Sequence, residues 1–414
     1  MTPYYFSLIF LVALTLSTTL RLWLDLRHLR HVAAHRERVP ADFFGRIELV
    51  EHRKAADYTA AKVRLGLIEI AVDAAVLLAL TLGGVLQWVD QALRAWLGAG
   101  HLQGLALFAA ISLIGFVIGL PASLYRSFVI EARFGFNKLT WQLWLADLAK
   151  GAALTVAIGG PLLFAVLWLM DAMGRHWWLY VWLVWLATNL LILFLYPTVI
   201  APLFNKFTPL EDAALKQRIE ALLTRCGFAS SGLFVMDGSK RSAHGNAYFP
   251  GFGAARRIVF FDTLLEKLAP EEIEAVLAHE LGHFRHKHVI KRIALSAALS
   301  LAFLWLLGQL IDQPWFYQGL GVGAGSTALG LLLFSMVLPV FLFPLAPLTS
   351  ALSRRHEYEA DAYAARQTAP ADLIAALVKL YRDNAATLTP DPLHSLFHDS
   401  HPPASQRIAR LHHA

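Results

Sequence analysis

Cysteine is nearly absent from this sequence: Cys226 is the one cysteine among 414 residues. A single thiol excludes an intramolecular disulfide framework and any metal site built from several cysteines. Charged residues are also scarce, at 16% of the chain, whereas hydrophobic residues make up 57% and the mean hydropathy is +0.51. This balance is unusual for a soluble protein and indicates a polytopic membrane protein.

The first apolar stretch, residues 4–24, lacks the basic region that opens a signal peptide, and it runs straight into arginines. It is long enough to cross a bilayer, so we expect a membrane span and no cleavable signal there. The sequence also lacks internal repeats, low-complexity runs and nucleic-acid motifs. Its basic residues flank the apolar stretches, which favours a membrane surface over nucleic acid as their partner.

Seven apolar stretches have the length of a membrane span, which takes about 20 residues. They are residues 4–24, 65–89, 105–124, 151–170, 177–201, 289–311 and 328–348. Basic residues are frequent after the first, third, fifth and seventh stretches and rare in the loops between. Because basic loops stay in the cytoplasm, we expect the N-terminus outside and the C-terminus inside.

One helix, which we expect to begin near Pro270, carries the pattern H-E-x-x-H as His279, Glu280 and His283. Residues four apart lie on one helix face, so the two imidazoles can bind the same metal ion. Glu280 lies about 100° around the helix, where it can polarise a water without being a ligand. Two histidines, an acidic ligand and an open position are typical of catalytic zinc. The alternative is a surface helix with two incidental histidines.

The third metal ligand must come from outside that helix, and the best candidates follow the last apolar stretch. Glu357 and Asp361 are one helical turn apart. Glu357 could bind the metal while Asp361 orients a metal-bound imidazole. His356 and Glu359 are the competing candidates for the ligand position. His356 lies next to Glu357 but about 100° around the helix, so we expect only one of these two side chains to face the zinc. A solvated acidic helix is the alternative interpretation.

Polar segments divide the chain into four predicted parts. Residues 1–201 hold five membrane helices, residues 202–288 hold the H-E-x-x-H helix, residues 289–348 hold two membrane helices, and residues 349–414 complete the zinc site.

The apolar spacing in the catalytic segment predicts one helix and two strands. The helix covers residues 211–226, and the strands cover 232–237 and 257–261. We expect the metal helix to continue through His288 towards the sixth span. His286 and His288 are interpreted as residues at the membrane interface.

Six stretches in order carry the motifs of one known family: residues 131–138, 202–210, 242–253, 279–283, 353–361 and 400–408. Over most of its length the chain resembles the type I CAAX prenyl endopeptidases, which are integral-membrane zinc metalloproteases of the yeast pheromone-processing type. The resemblance implies that His279, His283 and Glu357 bind zinc and that Glu280 activates the water.

The same resemblance implies the substrate site. The segment Asn246, Ala247 and Tyr248 would form the strand on which the substrate backbone lies, and His401 and Arg407 would face the metal.

The resemblance also implies that the seven helices enclose a large intramembrane chamber capped by the zinc helix. We therefore expect a mainly α, polytopic fold with a small α+β, zincin-like (gluzincin) catalytic domain. The chain lacks the long extensions of fungal and animal members, so its length fits a bacterial member in the bacterial inner membrane.

The predicted reaction is hydrolysis of a peptide bond near the C-terminus of a prenylated or membrane-associated substrate, with one Zn²⁺ per chain. Glu280 would take a proton from the zinc-activated water and pass it to the leaving amine. His401 and Arg407 are candidate donors to the developing oxyanion. The expected partners are a peptide or protein substrate, which can be lipidated, and the lipid bilayer. We expect no nucleic acid and a monomer.

Several alternatives stay open. His401 could be a loop histidine, and Asn246, which could hold substrate main chain, could serve only in a turn. Asp73 and Asp147 lie in or near apolar stretches, which would also suit a channel, a transporter or a zinc-binding scaffold. A quality-control protease with broad membrane substrates would use the same zinc site.

Overall fold

The computed structural model describes residues 1–245, 247–248, 257–323 and 325–413. Across these ranges the protein is mainly helical, with eighteen α-helices and one four-stranded sheet. The helices are α1 (Pro3–His35), α2 (Leu49–Leu80), α3 (Val85–Leu97), α4 (His101–Tyr125), α5 (Trp141–Leu154), α6 (Gly160–Ala172), α7 (Trp177–Leu195), α8 (Ala201–Phe204), α9 (Ala213–Cys226), α10 (Asp262–Leu265), α11 (Pro270–Arg285), α12 (His288–Leu310), α13 (Pro314–Gln318), α14 (Thr327–Leu342), α15 (Ala346–Gln367), α16 (Pro370–Asp383), α17 (Pro392–His398) and α18 (Ala404–Leu411).

Short turns of other helix types extend or join these elements. The π-helical turns are Arg126–Glu131, Thr155–Gly159 and Tyr196–Ile200. The 3₁₀ turns are Ala41–Phe43, Gly174–His176, Gly238–Lys240 and Phe343–Leu345. The strands are β1 (Phe207–Pro209), β2 (Leu233–Met236), β3 (Ala247–Tyr248) and β4 (Ile258–Phe261).

In the described ranges, six helical segments are long and apolar enough to cross a membrane, and the bent pair α2–α3 adds a seventh if it counts as one span. The predicted stretch at residues 65–89 straddles the break in that pair, where the axes differ by 51°. Gly84 makes the break possible because it adopts a φ of +75°, which suits glycine best. The mainly helical, polytopic fold with six or seven spans is confirmed.

A cavity of about 930 Å³ lies among α1, α2 and α4, and four charged side chains are part of its mostly apolar lining. Arg21 and Asp25 face it from α1, and Glu69 and Asp73 face it from α2. Ionisable groups are costly against lipid, and Asp73 instead shares this cavity with three other charged side chains.

The sheet has the order β1-β2-β4-β3 and mixes both strand directions. β2 and β4 are parallel, with Leu233 opposite Ile258, while β1 pairs antiparallel with β2 and β3 antiparallel with β4. The two predicted strands are therefore confirmed as β2 and β4. Three-residue β1 escapes prediction because Pro209 argues against a strand.

The sheet, α9, α11 and α16 share one hydrophobic core. Ile219 of α9, Phe260 of β4, Leu277 of α11 and Leu373 of α16 are all buried in it. The predicted helix at 211–226 is α9, capped by Asp212, whose side chain accepts a hydrogen bond from Leu215 N. This core joins chain segments from both polar regions.

The metal helix does not continue through His288, so that prediction is wrong. α11 ends at Arg285, and α12 begins at His288. Between them Lys287 has a φ of +57°, a left-handed conformation that interrupts the helical path.

Candidate metal centre

Local sequence signals set the start and the buried face of α11. Pro270 occupies the first turn, and Glu272 Oε2 accepts a hydrogen bond from Ala269 N at 2.7 Å. Ile273 and Leu277 are buried in the shared core, which holds the helix against the sheet. This anchoring points the face with His279 and His283 towards α15.

Three side chains converge on one point. His279 Nε2 lies 3.3 Å from His283 Nε2 and 3.4 Å from Glu357 Oε2. His283 Nε2 lies 3.4 Å from Glu357 Oε1. A tetrahedral zinc site with bonds of about 2.0–2.1 Å has ligand atoms about 3.3 Å apart. The two imidazole nitrogens, and the carboxylate oxygen nearest to each of them, therefore have the spacing that one zinc ion requires.

The carboxylate of Glu357 also fits a cation. Glu357 is 3% exposed, and its Oε2 finds no hydrogen-bond partner within the described part of the chain. A buried carboxylate oxygen without a partner is costly unless a cation balances it. Two imidazoles and one carboxylate are a donor set that suits zinc.

Of the competing ligand candidates, Glu357 alone points at the two histidines. His356 is buried against the ring of His288, with ring centroids 4.0 Å apart. Glu359 bonds to His288 Nε2 and to Arg355.

The ring of His279 is held from behind by a carboxylate. His279 Nδ1 donates to Asp361 Oδ1 at 2.9 Å, the arrangement that the spacing of Asp361 from Glu357 predicts. Arg407 is buried and donates to both oxygens of Asp361, from Nε at 2.8 Å and from Nη2 at 2.6 Å. Asp361 is therefore fixed on both sides, and the metal-facing nitrogen of His279 is fixed with it.

Two opposing effects act on the pKa of His279. Burial alone would lower it, but the carboxylates of Asp361 and Glu357 outweigh burial and raise the pKa to about 9. A metal ion at Nε2 would take the place of the proton that these carboxylates favour.

Gly282 lets α15 approach α11 closely enough for Glu357 to reach the histidines. A β-carbon on Gly282 would lie 2.9 Å from Ala360 Cα and 3.0 Å from Ala360 O. The nearest obstacle is backbone, so a side chain at this position would push the two helices apart.

A cavity of about 290 Å³ opens at the metal centre. Glu280 and His401 line it, together with Gly245 and Asn384. His401 Nε2 lies 3.5 Å from Glu357 Oε1, and its side chain is 62% exposed. Glu280 thus borders the same cavity as the metal donors. Arg407 also borders it but directs its bonds to Asp361.

The predicted substrate segment is described in part. Asn246 lies outside the described residues, whereas the backbone of Ala247 and Tyr248 forms β3. In the described residues β3 pairs only with β4, which makes it the edge strand of the sheet.

The sequence analysis did not identify the residues that hold the chain segment leading into β3. Asn384 Oδ1 accepts from Gly245 N at 3.1 Å and lies 3.2 Å from His244 Nδ1. His244 Nε2 lies 3.4 Å from Glu131 Oε2. His244 and Glu131 belong to two of the stretches that carry the family resemblance, which is the signal that could have connected them.

The interpretation of His288 as a membrane-interface residue is wrong. His288 is fully buried, and its two ring nitrogens contact His283 and Glu359. The turn at Lys287 brings it back against α11, which a continuous helix would not do.

Comparisons with known proteins agree with this geometry. Residues 28–206 match a family described as CAAX prenyl protease N-terminal, five membrane helices, and residues 209–414 match peptidase family M48. CAAX prenyl protease 1 of Saccharomyces cerevisiae is 38% identical over 325 residues, which is 75% of this chain and 72% of the yeast protein. This chain belongs to the CAAX prenyl protease 1 family.

Other members of the CAAX prenyl protease 1 family match at similar levels. The homologue from Oryza sativa subsp. japonica is 35% identical over 402 residues, which is 95% of this chain and 94% of the rice protein. The crystal structure of S. mikatae Ste24p superposes with a TM-score of 0.92 at 32% identity, covering 98% of this chain and 99% of that one. The protein is thus an integral, multi-pass membrane zinc metalloprotease of the CAAX prenyl protease 1 type with a site at His279, His283 and Glu357.

Proposed function

We propose that one zinc ion, held by His279, His283 and Glu357, serves the hydrolysis of a peptide bond near the C-terminus of a prenylated or membrane-associated substrate. The observation that carries the proposal is the cluster of two imidazole nitrogens 3.3 Å apart, each 3.4 Å from one oxygen of the Glu357 carboxylate, beside a cavity that Glu280 lines. Zinc, when bound, supplies a Lewis acid that polarises the attacking water and the scissile carbonyl.

Glu280 is the proposed general base. It follows the ligand His279 on α11 and lines the cavity, so its carboxylate can accept the proton of the attacking water. As the C–N bond breaks, the same carboxyl delivers that proton to the leaving nitrogen, which departs as an amine.

We propose different roles for His401 and Arg407. His401 lines the cavity and is largely exposed, so it can donate a hydrogen bond to the oxyanion that develops on the carbonyl. Arg407 commits Nε and Nη2 to Asp361, and its Nη1 lies 3.8 Å from Glu357 Oε2. We therefore assign Arg407 chiefly to holding Asp361 and Glu357 in place.

The proposed substrate lies along β3 in an extended conformation. An edge strand offers unpaired backbone groups to which a peptide can add as a further strand. Asn246 would precede that contact, and Ala247 and Tyr248 would provide the backbone. The printed names of the relatives describe CAAX prenyl proteases, and a C-terminal prenylated peptide is accordingly the first substrate to test.

The proposed orientation in the membrane is supported by the sequence. Basic loops alternate along the chain, which supports an N-terminus outside and a metal centre on the cytoplasmic side. The four-part division at residues 201, 288 and 348, the monomeric state and the bacterial inner membrane stay predictions. The relatives compared are eukaryotic.

A quality-control protease for membrane proteins is the second candidate. An edge strand recognises backbone, which every extended polypeptide offers, so β3 alone does not require a prenyl group. Such an enzyme would use the same metal centre and the same base.

The deciding experiment compares the wild type with Glu280→Gln, each as full-length protein in lipid nanodiscs. Both receive a prenylated C-terminal peptide and an unprenylated membrane substrate, with and without chelator. We expect the wild type to cleave the prenylated peptide and the chelator to abolish cleavage. Gln has the shape of Glu but is no base, so turnover should fall by about 10²–10⁴-fold while bound zinc is retained. Full activity of E280Q would refute the assignment, and equal cleavage of both substrates would favour quality control.

A further inference from the structure

A line of hydrogen bonds leads from the metal ligand His283 away from the metal centre. His283 Nδ1 lies 3.0 Å from His288 Nδ1, and His288 Nε2 lies 3.0 Å from Glu359 Oε2. His288 is 0% exposed, so no solvent competes for its two nitrogens. The three side chains come from α11, α12 and α15, and tertiary packing alone brings them together.

The two ends of this line determine where each proton lies. A His283 ring that offers Nε2 to a metal must carry its proton on Nδ1. That proton can be donated only if His288 Nδ1 is an acceptor, which places the proton of His288 on Nε2. His288 Nε2 then donates to the carboxylate of Glu359. Each of the two hydrogen bonds thus has one donor and one acceptor.

The opposite tautomer of His288 would work against metal binding. With its proton on Nδ1, His288 would need His283 Nδ1 as acceptor, and the proton of a neutral His283 would move to Nε2, which faces the metal. His288 Nε2 would also face Glu359 Oε2 without a proton. Glu359 therefore selects the tautomer of His288, and His288 selects that of His283.

The two metal-binding imidazoles are supported differently. His279 donates directly to Asp361. No carboxylate fills that place behind His283 in the described structure, where His288 stands between it and Glu359. Arg355 Nε donates to Glu359 Oε1 at 2.9 Å and fixes the far end of the line.

An alternative interpretation is that His288 and Glu359, together with His286, form a separate metal site. Ligand atoms of His286, His288 and Glu359 lie within 4.8 Å of one another. However, the rings of His286 and His288 are stacked, with 14° between their planes. Both nitrogens of His288 are already in contact with His283 and Glu359. A metal bound to His288 would displace one of those contacts, which makes this reading the weaker one.

We propose that His288 is a positioning residue for the zinc ligand His283, and that Glu359 orients His288 for this role. The inference rests on the proposed zinc site at His279, His283 and Glu357. It adds that the affinity for zinc depends on a buried histidine that does not touch the metal.

The test measures zinc affinity of the full-length protein in nanodiscs by competition with a chromophoric chelator. His288→Phe fills the same space but offers no acceptor to His283, and we expect zinc to bind about 10–100-fold more weakly. His288→Asn restores a carbonyl oxygen near the position of Nδ1 and should recover much of that loss. His286→Phe is the control, because His286 stacks on His288 without bonding to His283. It should leave the affinity within about threefold of the wild type, well short of the 10-fold loss.

A spectroscopic measurement separates positioning from a general loss of fold. Co²⁺ replaces zinc, and its visible absorption reports the arrangement of its ligands. H288F should change the Co²⁺ spectrum, whereas H286F should not, and the apo variants should have equal apparent Tm. Should H288F fail to fold, Glu359→Gln decides, because it leaves the His288 ring in place and weakens only the contact of that ring with residue 359; an unchanged zinc affinity in E359Q would then count against the positioning role. We expect a smaller loss for E359Q, whose amide oxygen can still accept from His288.

The outcomes distinguish the two proposals. If the wild type binds no zinc, the proposed zinc site fails. If the wild type binds zinc and the His288 variants bind it equally well with unchanged Co²⁺ spectra, the zinc site stands and the positioning role is wrong. Two zinc ions per wild-type chain, falling to one in H288F, would instead support the separate site and also overturn the positioning role.

Discussion

Gly282 lies against Ala360, and a β-carbon on Gly282 would sit 2.9 Å from Ala360 Cα. This contact between α11 and α15 sets how far Glu357 stands from His279 and His283. The metal centre is therefore formed by the close approach of two helices as well as by its ligands.

Gly282→Ala should weaken zinc binding without touching a ligand. The added methyl meets backbone that cannot rotate away, and overpacking of this kind costs about 1–3 kcal/mol. We expect a lower Tm and weaker zinc binding by chelator competition. Gly151→Ala on α5 is the matched control, since a β-carbon there meets nothing within 4 Å. Equal zinc affinity in G282A and G151A would mean that the spacing between α11 and α15 does not limit zinc binding.

Zinc removal should lower the stability of the protein. Glu357 is buried, and its Oε2 has no hydrogen-bond partner in the described residues, so a bound cation stabilises the folded state. At a free zinc concentration about 100-fold above Kd the gain is about 2.7 kcal/mol. Thermal unfolding of the chelated protein with and without added zinc measures it. His283→Ala should show a much smaller response to zinc, and an undiminished response would place the ion elsewhere.

His401→Ala and Arg407→Lys should differ in which quantity they change. His401 faces the cavity, so its loss should lower kcat by about 10²–10³-fold and leave zinc affinity unchanged. Lys cannot reproduce the two bonds of Arg407 to Asp361, so R407K should weaken zinc binding as well as turnover. Parallel measurements of kcat and zinc affinity decide the matter. The assignment fails if R407K binds zinc normally while its kcat collapses.

Asn384→Ala should act on substrate binding. Its Oδ1 accepts from Gly245 N, and Gly245 lies two residues before β3. Loss of that bond frees the chain leading into the edge strand, so we expect KM to rise several-fold, consistent with about 1 kcal/mol for one hydrogen bond. Zinc affinity should not change. Asn384→Asp keeps the acceptor for Gly245 N and loses only the longer bond from Nδ2 to Gly245 O, so its KM should rise less than that of N384A. An unchanged KM in N384A would argue against β3 as the substrate strand.

Much of the architecture was predictable because its signals are local. Apolar runs of span length mark membrane helices in any tertiary context, and H-E-x-x-H places two imidazoles on one helix face. Strands β2 and β4 were found from their β-branched and aromatic residues between turns. The prediction that the metal helix continues through His288 failed because one backbone angle, the positive φ of Lys287, turns the chain there. Residues other than glycine rarely adopt a positive φ, so nothing in the sequence indicates this turn.

By itself the sequence determined the membrane character, the helix with His279 and His283, and Glu357 with Asp361 as the best pair to complete the site. These follow from periodicity, which depends only on neighbours along the chain. Tertiary structure alone decided how closely Glu357 meets the histidines, that Arg407 binds Asp361, and that His288 stands behind His283. Those relationships join residues far apart in the chain, and they depend on helix separation and orientation, which no local pattern encodes.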